Sequence, residues 1–101
     1  METKNAKIVS TFLGWESHGI FTFSLGLDYG GIAQHFGNYD LNYGKYGMKV
    51  IEKILKTVGV NSWEELTGKH IRVIAEHTEI QKIGNILENN WFSMEDLLNA
   101  Q

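Results

Sequence analysis

The sequence predicts an α+β fold: an antiparallel sheet of about five strands in the order βββ-α-ββ-α, with one main helix packed on it. Three observations carry this expectation. Phe21, Phe23, Leu25, Leu27 and Tyr29 alternate strictly with Thr22, Ser24, Gly26 and Asp28, the period of a half-buried strand. From about Tyr46 to Val58 the period changes to 3.6, with Met48, Ile51, Ile54, Leu55 and Val58 on one stripe and Lys49, Glu52, Lys53 and Lys56 facing water. Clusters of Gly, Asn, Asp and Ser separate the periodic segments, and in a chain with 11 glycines and no proline they must make the turns.

The elements follow in order. Lys7 to Leu13 alternates and reads as a first strand, and Glu16 to Gly19 is short enough for a hairpin loop into the second. Gly30-Gly31 supplies the positive φ of a two-residue turn into a third strand, Ile32 to Phe36. Gly59 stops the helix, with Lys53 and Lys56 in its last turns. Ser62 and Glu65 form a capping box for a short helical turn, Trp63 to Leu66. A fourth strand, His70 to Ala75, has Ile71, Val73 and Ala75 on one face and His70, Arg72 and Ile74 on the other, and a fifth runs from Ile80 to Leu87 with Gly84 as a bulge. Asn89-Asn90 is a turn, and Ser93 with Asp96 caps a terminal helix, Met94 to Ala100. Two architectures satisfy this order: an open sheet with its apolar face under the helix, and an OB-like barrel.

At 101 residues the chain is expected to be one domain, 1–101, with one core. A domain of this size buries about 65% of the surface its unfolded chain exposes, enough to fold without staples. The absence of cysteine excludes disulfides, thiolate metal sites and cysteine nucleophiles. No apolar run approaches the ~20 residues of a membrane span, and the expected location is the cytosol. A net charge of −3 with one Arg argues against a strong phosphate-backbone binder, and makes the chain a candidate partner for another molecule's basic surface.

No residue set has the spacing of a catalytic or metal site. His18, His35, His70 and His77 lack ligand spacing, Gly30-Gly31 leads into a strand and not into a phosphate-binding helix, and no serine sits in a nucleophile elbow. No metal or cofactor is expected. The excess lies in aromatic residues beside loops: Trp15, Tyr39, Tyr43, Tyr46 and Trp91 either plug the edge of the core or form a contact surface of the kind hot spots favour. With Asp28 on the polar side of the second strand, and with His70 and Arg72 sharing a strand face, they form the candidate binding set.

Ile8 to Tyr39, with "STFLGWESHGIFTFSLGLDYGG" and "QHFGNY", resembles small accessory proteins of bacteriophages and prophages. The likeness continues through Trp63-Glu64-Glu65-Leu66-Thr67-Gly68-Lys69, Ile83-Gly84-Asn85-Ile86 and Trp91-Phe92. A shorter segment, "LTGKHIRVIAEH", looks like part of some phage single-strand DNA-binding proteins with an OB-like core. The first resemblance implies a non-enzymatic protein of a phage or mobile element that inhibits a host defence protein, such as a CRISPR effector. The alternative is a single-stranded nucleic-acid-binding module in which Tyr39, Tyr43, Arg72 and nearby lysines line a groove. Sequestration of a small nucleotide between subunits is a third reading. The chain is expected to be a monomer, or a homodimer formed through an edge at the first strand or at Ile80 to Leu87.

Overall fold

The long first strand organises the structure, a computed structural model that describes residues 2–42, 45–76 and 79–99. Strand β1 runs from Glu2 to Trp15. It starts five residues before the alternating segment because Glu2 to Lys7 pair with a later strand, so backbone hydrogen bonding holds residues that bring little apolar area of their own. Its second half, Lys7 to Trp15, pairs with β2 (Phe21–Tyr29), and a bulge at Val9 marks the change of partner. Backbone bonds from Ile8 N to Lys69 O (2.9 Å) and from Gly68 N to Ile8 O (2.7 Å) tie the same point to the start of β4.

From β2 the chain turns through Gly30 (φ 63°) and Gly31 (φ 81°) into β3 (Ile32–Gly37). Two consecutive positive φ values define a type I′ turn, whose twist matches that of the flanking strands. Helix α1 (Gly47–Val58) and a 3-10 turn (Trp63–Glu65) precede β4 (His70–Glu76) and β5 (Glu79–Asn85). A sixth strand, β6 (Trp91–Phe92), then leads into α2 (Met94–Asn99). The sheet is open and antiparallel, in the order β3-β2-β1-β4-β5-β6. Among the described residues no ladder joins β3 to β5, yet β3 lies against β5, and Phe36 and Phe92 from the two edge strands meet edge to face at 6.2 Å. The sheet is therefore curled, with an open seam between β3 and β5.

Its concave face holds the core. Ile8, Phe23, Leu25, Leu27, Phe36, Ile71, Val73 and Ile83 point inward, and Val50 and Ile54 of α1 and Leu66 after the 3-10 turn close over them. Each such side chain contributes about 1.5–3 kcal/mol relative to exposure. Buried Thr22, on the opposite face of β2, donates to the Tyr39 carbonyl at 2.6 Å, because residues 38–41 run on beside β2. That face is thus less wet than the alternation predicts; Asp28 is its exposed residue.

Four further expectations are corrected. The sheet has six strands, one more than about five: the fifth ends at Asn85 and not at Leu87, and after the Asn89-Asn90 turn the chain returns as a further short strand, β6. Gly84 is not a bulge, since it pairs regularly with Arg72 and Trp91, and the irregularity in this hairpin lies between Ile74 and Ala75. Ser62 makes no side-chain cap; the Glu65 carboxylate instead accepts from Asn61 N at 3.2 Å. The first strand is interior to the sheet and not an edge strand, its Glu2 to Lys7 half paired with β4 and its Lys7 to Trp15 half with β2. Ser93 does cap α2, accepting from Asp96 N at 3.0 Å, and its hydroxyl followed by Lys82 holds the Asp96 carboxyl below the usual aspartate range.

One junction locks helix to sheet. Asn85 Nδ2 donates to Thr57 O (3.1 Å) and Val58 O (3.2 Å), carbonyls that the end of α1 leaves without intrahelical partners. Its Oδ1 accepts from Leu87 N and Glu88 N, and Asn90 Nδ2 reaches Lys56 O at 3.1 Å. Arg72 stretches across the bare backbone of Gly84, bonds Asn85 O and Glu88 O at 2.7 Å each, and stacks over the Trp91 ring at 4.8 Å. A Cβ on Gly84 would sit 2.5 Å from that ring. Gly84→Ala is expected to lower stability by about 1–3 kcal/mol through overpacking, and Asn85→Ala by about 1–3 kcal/mol through unsatisfied buried carbonyls. Urea unfolding checks both; a change in Gly84→Ala within error would show that the ring moves aside freely.

Candidate functional site

The junction decides the standing of two expected site residues. Arg72 and Trp91 do meet: Arg72 donates through Nε and Nη2 to the carbonyls of Asn85 and Glu88, while Trp91 packs on Gly84, donates through Nε1 to Asn89 Oδ1 at 3.0 Å and lines a depression of about 140 Å³ with Lys53 and Asp96. They are framework. His70 and Asp28 lie on the outer, convex face, each opposite Lys7 in the register, so one row across three strands reads His70, Lys7, Asp28. Beside it, buried Gly26 leaves a smooth strip between Ser10 and His35.

The remaining aromatic residues gather elsewhere. Trp15 and Leu13 face the same side as Phe21 and Phe23, the core side, but β1 and β2 extend beyond the cover of α1. Trp15 is consequently 63% exposed and rests edge-on against Phe21 at 5.2 Å. Met48, expected on the buried stripe of α1, is 80% exposed; the helix buries Val50, Ile54 and Thr57 instead, a rotation that leaves Ile51 and Leu55 half-covered on its flank.

Three depressions meet around the start of α1. One of about 260 Å³ is lined by Leu13, Phe21, Leu41, Asn42, Gly47, Met48 and Ile51. It shares Met48 and Ile51 with a shallower one of about 520 Å³ that adds Lys45, Lys49, Glu52 and Leu55. It shares Leu41 and Gly47 with a third, about 370 Å³, which adds Tyr39, Asp40, Tyr46, Val50, Met94 and Leu98. Trp15, Tyr39 and Tyr46 of the expected set thus surround one apolar surface, whereas Asp28 and His70 lie on the other face of the sheet. Tyr43 lies outside the described residues. Leu13, Met48, Ile51 and Leu98 were missed, because periodicity assigns apolar strand and helix positions to the core by default.

Tyr39 is the bridge between this surface and the core. Its ring lies 6.1 Å from Phe23 and 6.3 Å from Phe36. Burial, and after it the carboxylate of Glu79, raise its phenol above the ordinary tyrosine range. Among the described residues no comparable chemistry is assembled at the hydroxyls. Ser17 Oγ and Glu16 Oε1 both lie 3.5 Å from His18, but both face the same ring nitrogen, Nδ1, on an exposed loop. A relay needs one partner on each nitrogen. Among the described residues no group of three or more His, Asp or Glu is placed to hold a metal ion, and no helix is long and apolar enough to cross a membrane.

Comparison of the chain with protein-family models, with curated proteins and with solved structures returns no match.

Because the unfolded chain loses the Tyr39 proton first, the contribution of this phenol to stability is complete below the ordinary tyrosine pKa and is lost as pH rises through the folded value. Tyr39→Phe should therefore flatten the alkaline limb of the stability profile, with phenolate absorbance placing the wild-type titration above that of a free tyrosine. An unchanged limb would show that Tyr39 is solvated like an ordinary surface tyrosine.

Proposed function

We propose that this chain is a non-enzymatic binding protein that engages another protein through the apolar surface at the start of α1. The observation that carries the reading is the continuity of that surface: three depressions that share lining residues, with Trp15 and Met48 standing open beside them. Large apolar side chains that gather in one place, and are not scattered singly, mark interaction sites on a folded surface. Trp, Tyr and Met at such a place have the composition of an interface core. The seating of Trp15 on Phe21 holds its ring ready to be buried, so little ordering entropy remains to oppose association. The partner named by the resemblance to phage accessory proteins is a host defence protein, such as a CRISPR effector. That identity rests on the resemblance alone.

A second reading has one observation in its favour. The strand order is that of an OB-like sheet, whose β2–β3 face binds oligonucleotides in other proteins. Here that face presents Phe12, Ser10 and His35, with Lys7 nearby. Fold alone does not assign function, and one lysine with a neutral strip is a weak electrostatic footprint for a phosphate backbone.

The two readings separate in an affinity capture from lysate of a bacterial host, with and without nuclease. The first expects a protein partner that survives nuclease and is lost, by at least about tenfold, in Trp15→Ala and in Met48→Asp, but is retained in His35→Ala. A catch that disappears with nuclease and with His35→Ala would establish the second reading and overturn the first.

A further inference from the structure

Charge along α1 runs against the trend of the chain, although of its lysines only Lys49, with Lys45 just before the helix, lines the apolar surface, where Glu52 stands beside them and Asp40 lies in the adjoining depression; Lys53 lines a separate one with Trp91 and Asp96. Residues 45–56 hold four of the nine basic side chains, Lys45, Lys49, Lys53 and Lys56, against one acid, Glu52, a local net of +3. The chain as a whole carries −3, so the rest of it carries −6. Lys45 and Lys49 line the same depression as Met48, Ile51 and Leu55, and form its lip. Glu52 sits 3.2 Å from Lys49, both side chains half in water, where such pairs are labile and leave the lysine available. The start of α1 adds to the field: its first N–H groups have no intrahelical partners, Tyr46 supplies no side-chain cap, and no acid occupies the first turn. The expectation that an acidic protein meets a basic partner thus reverses at this surface.

We infer that the groove between the β1–β2 hairpin end and α1 takes an acidic amphipathic segment of a partner protein, its apolar side chains entering beside Leu13, Phe21, Met48 and Ile51 and its carboxylates meeting Lys45 and Lys49. The inference rests on the docking reading above and names the chemistry of the partner. Three anionic alternatives fit less well. A nucleic acid uses lysines but not an apolar floor. A membrane surface takes protruding apolar side chains; Met48 and Trp15 do protrude, but Leu13, Phe21 and Ile51 line a depression of about 260 Å³ instead. A second copy offering its own acidic part would make a heterologous contact, which builds rings or open filaments instead of a closed pair.

The test is selection of a displayed library of random peptides on the immobilised full chain, on Lys45→Glu/Lys49→Glu and on Met48→Asp, all exposed substitutions checked for native circular dichroism. The expected result is a consensus of one or two large apolar residues flanked by Asp or Glu. Binding should weaken at least about tenfold in both variants, and fall with added salt. Peptides lost in Met48→Asp but indifferent to Lys45→Glu/Lys49→Glu would overturn the acidic segment while leaving the docking surface standing. Peptides indifferent to both variants would overturn both. Parallel arms use oligothymidine, vesicles of phosphatidylcholine with phosphatidylglycerol, and light scattering of the chain alone. If one of these shows lysine-dependent binding or self-association and no peptide is enriched, the partner is a nucleic acid, a lipid or a second copy, and the inference fails.

Discussion

The contact on which the rest of the structure depends is the anchoring of the α1 C-terminus by Asn85. A helix end leaves carbonyls without partners, and a single amide that satisfies two of them while its oxygen organises the next turn fixes the helix in both position and direction. Arg72 and Trp91 brace the same segment across Gly84, so the last hairpin, the helix end and the central strands form one unit. A helix of 12 residues is about 18 Å long, and fixing one end determines where the other points. The open surface at the start of α1 is the far consequence of a bond at its end.

The same constraint explains why an apolar surface is exposed at all. The curl of the sheet brings β3 against β5 and lets Phe36 meet Phe92, which closes the core around the middle of β2. Anchored beside β5, α1 covers that middle but not the last turn of the β1–β2 hairpin, where Leu13, Trp15 and Phe21 carry on the core pattern without a cover. Met48 faces away from the core for a related reason. The helix is rotated to bury Val50, Ile54 and Thr57, so the apolar stripe read from Met48 and Ile51 is offset toward the open flank. Lysines follow on the next residues around, giving the surface its basic lip.

Much of this fold is legible in the residues and some is not, for identifiable reasons. Strict alternation in β2, the glycine pair after it and a helix ending at Gly59 are each present in the structure, although the stripe that helix buries is Val50, Ile54 and Thr57. β6 is two residues long and has no period to detect. The role of Gly84 depends on a ring from another strand, which no local pattern encodes. Of the candidate set, aromatic type picked out Trp15, Tyr39 and Tyr46, which border the apolar surface, and equally Trp91, which does not, because an indole stacked under a guanidinium and an indole open to solvent have the same sequence signal. Asp28 and His70 were grouped with them by polarity and turn out to share the opposite face with Lys7.

The central claim is that the face which meets the partner is the apolar one at the start of α1, not the convex face of the sheet. Its most direct test is site-specific photo-crosslinking in living bacterial cells, with a photoreactive amino acid placed at Met48 or at His35. The account predicts a discrete protein adduct from position 48 and none from position 35. An adduct from position 35 alone, whether to protein or to nucleic acid, would place the contact on the β2–β3 face and contradict it.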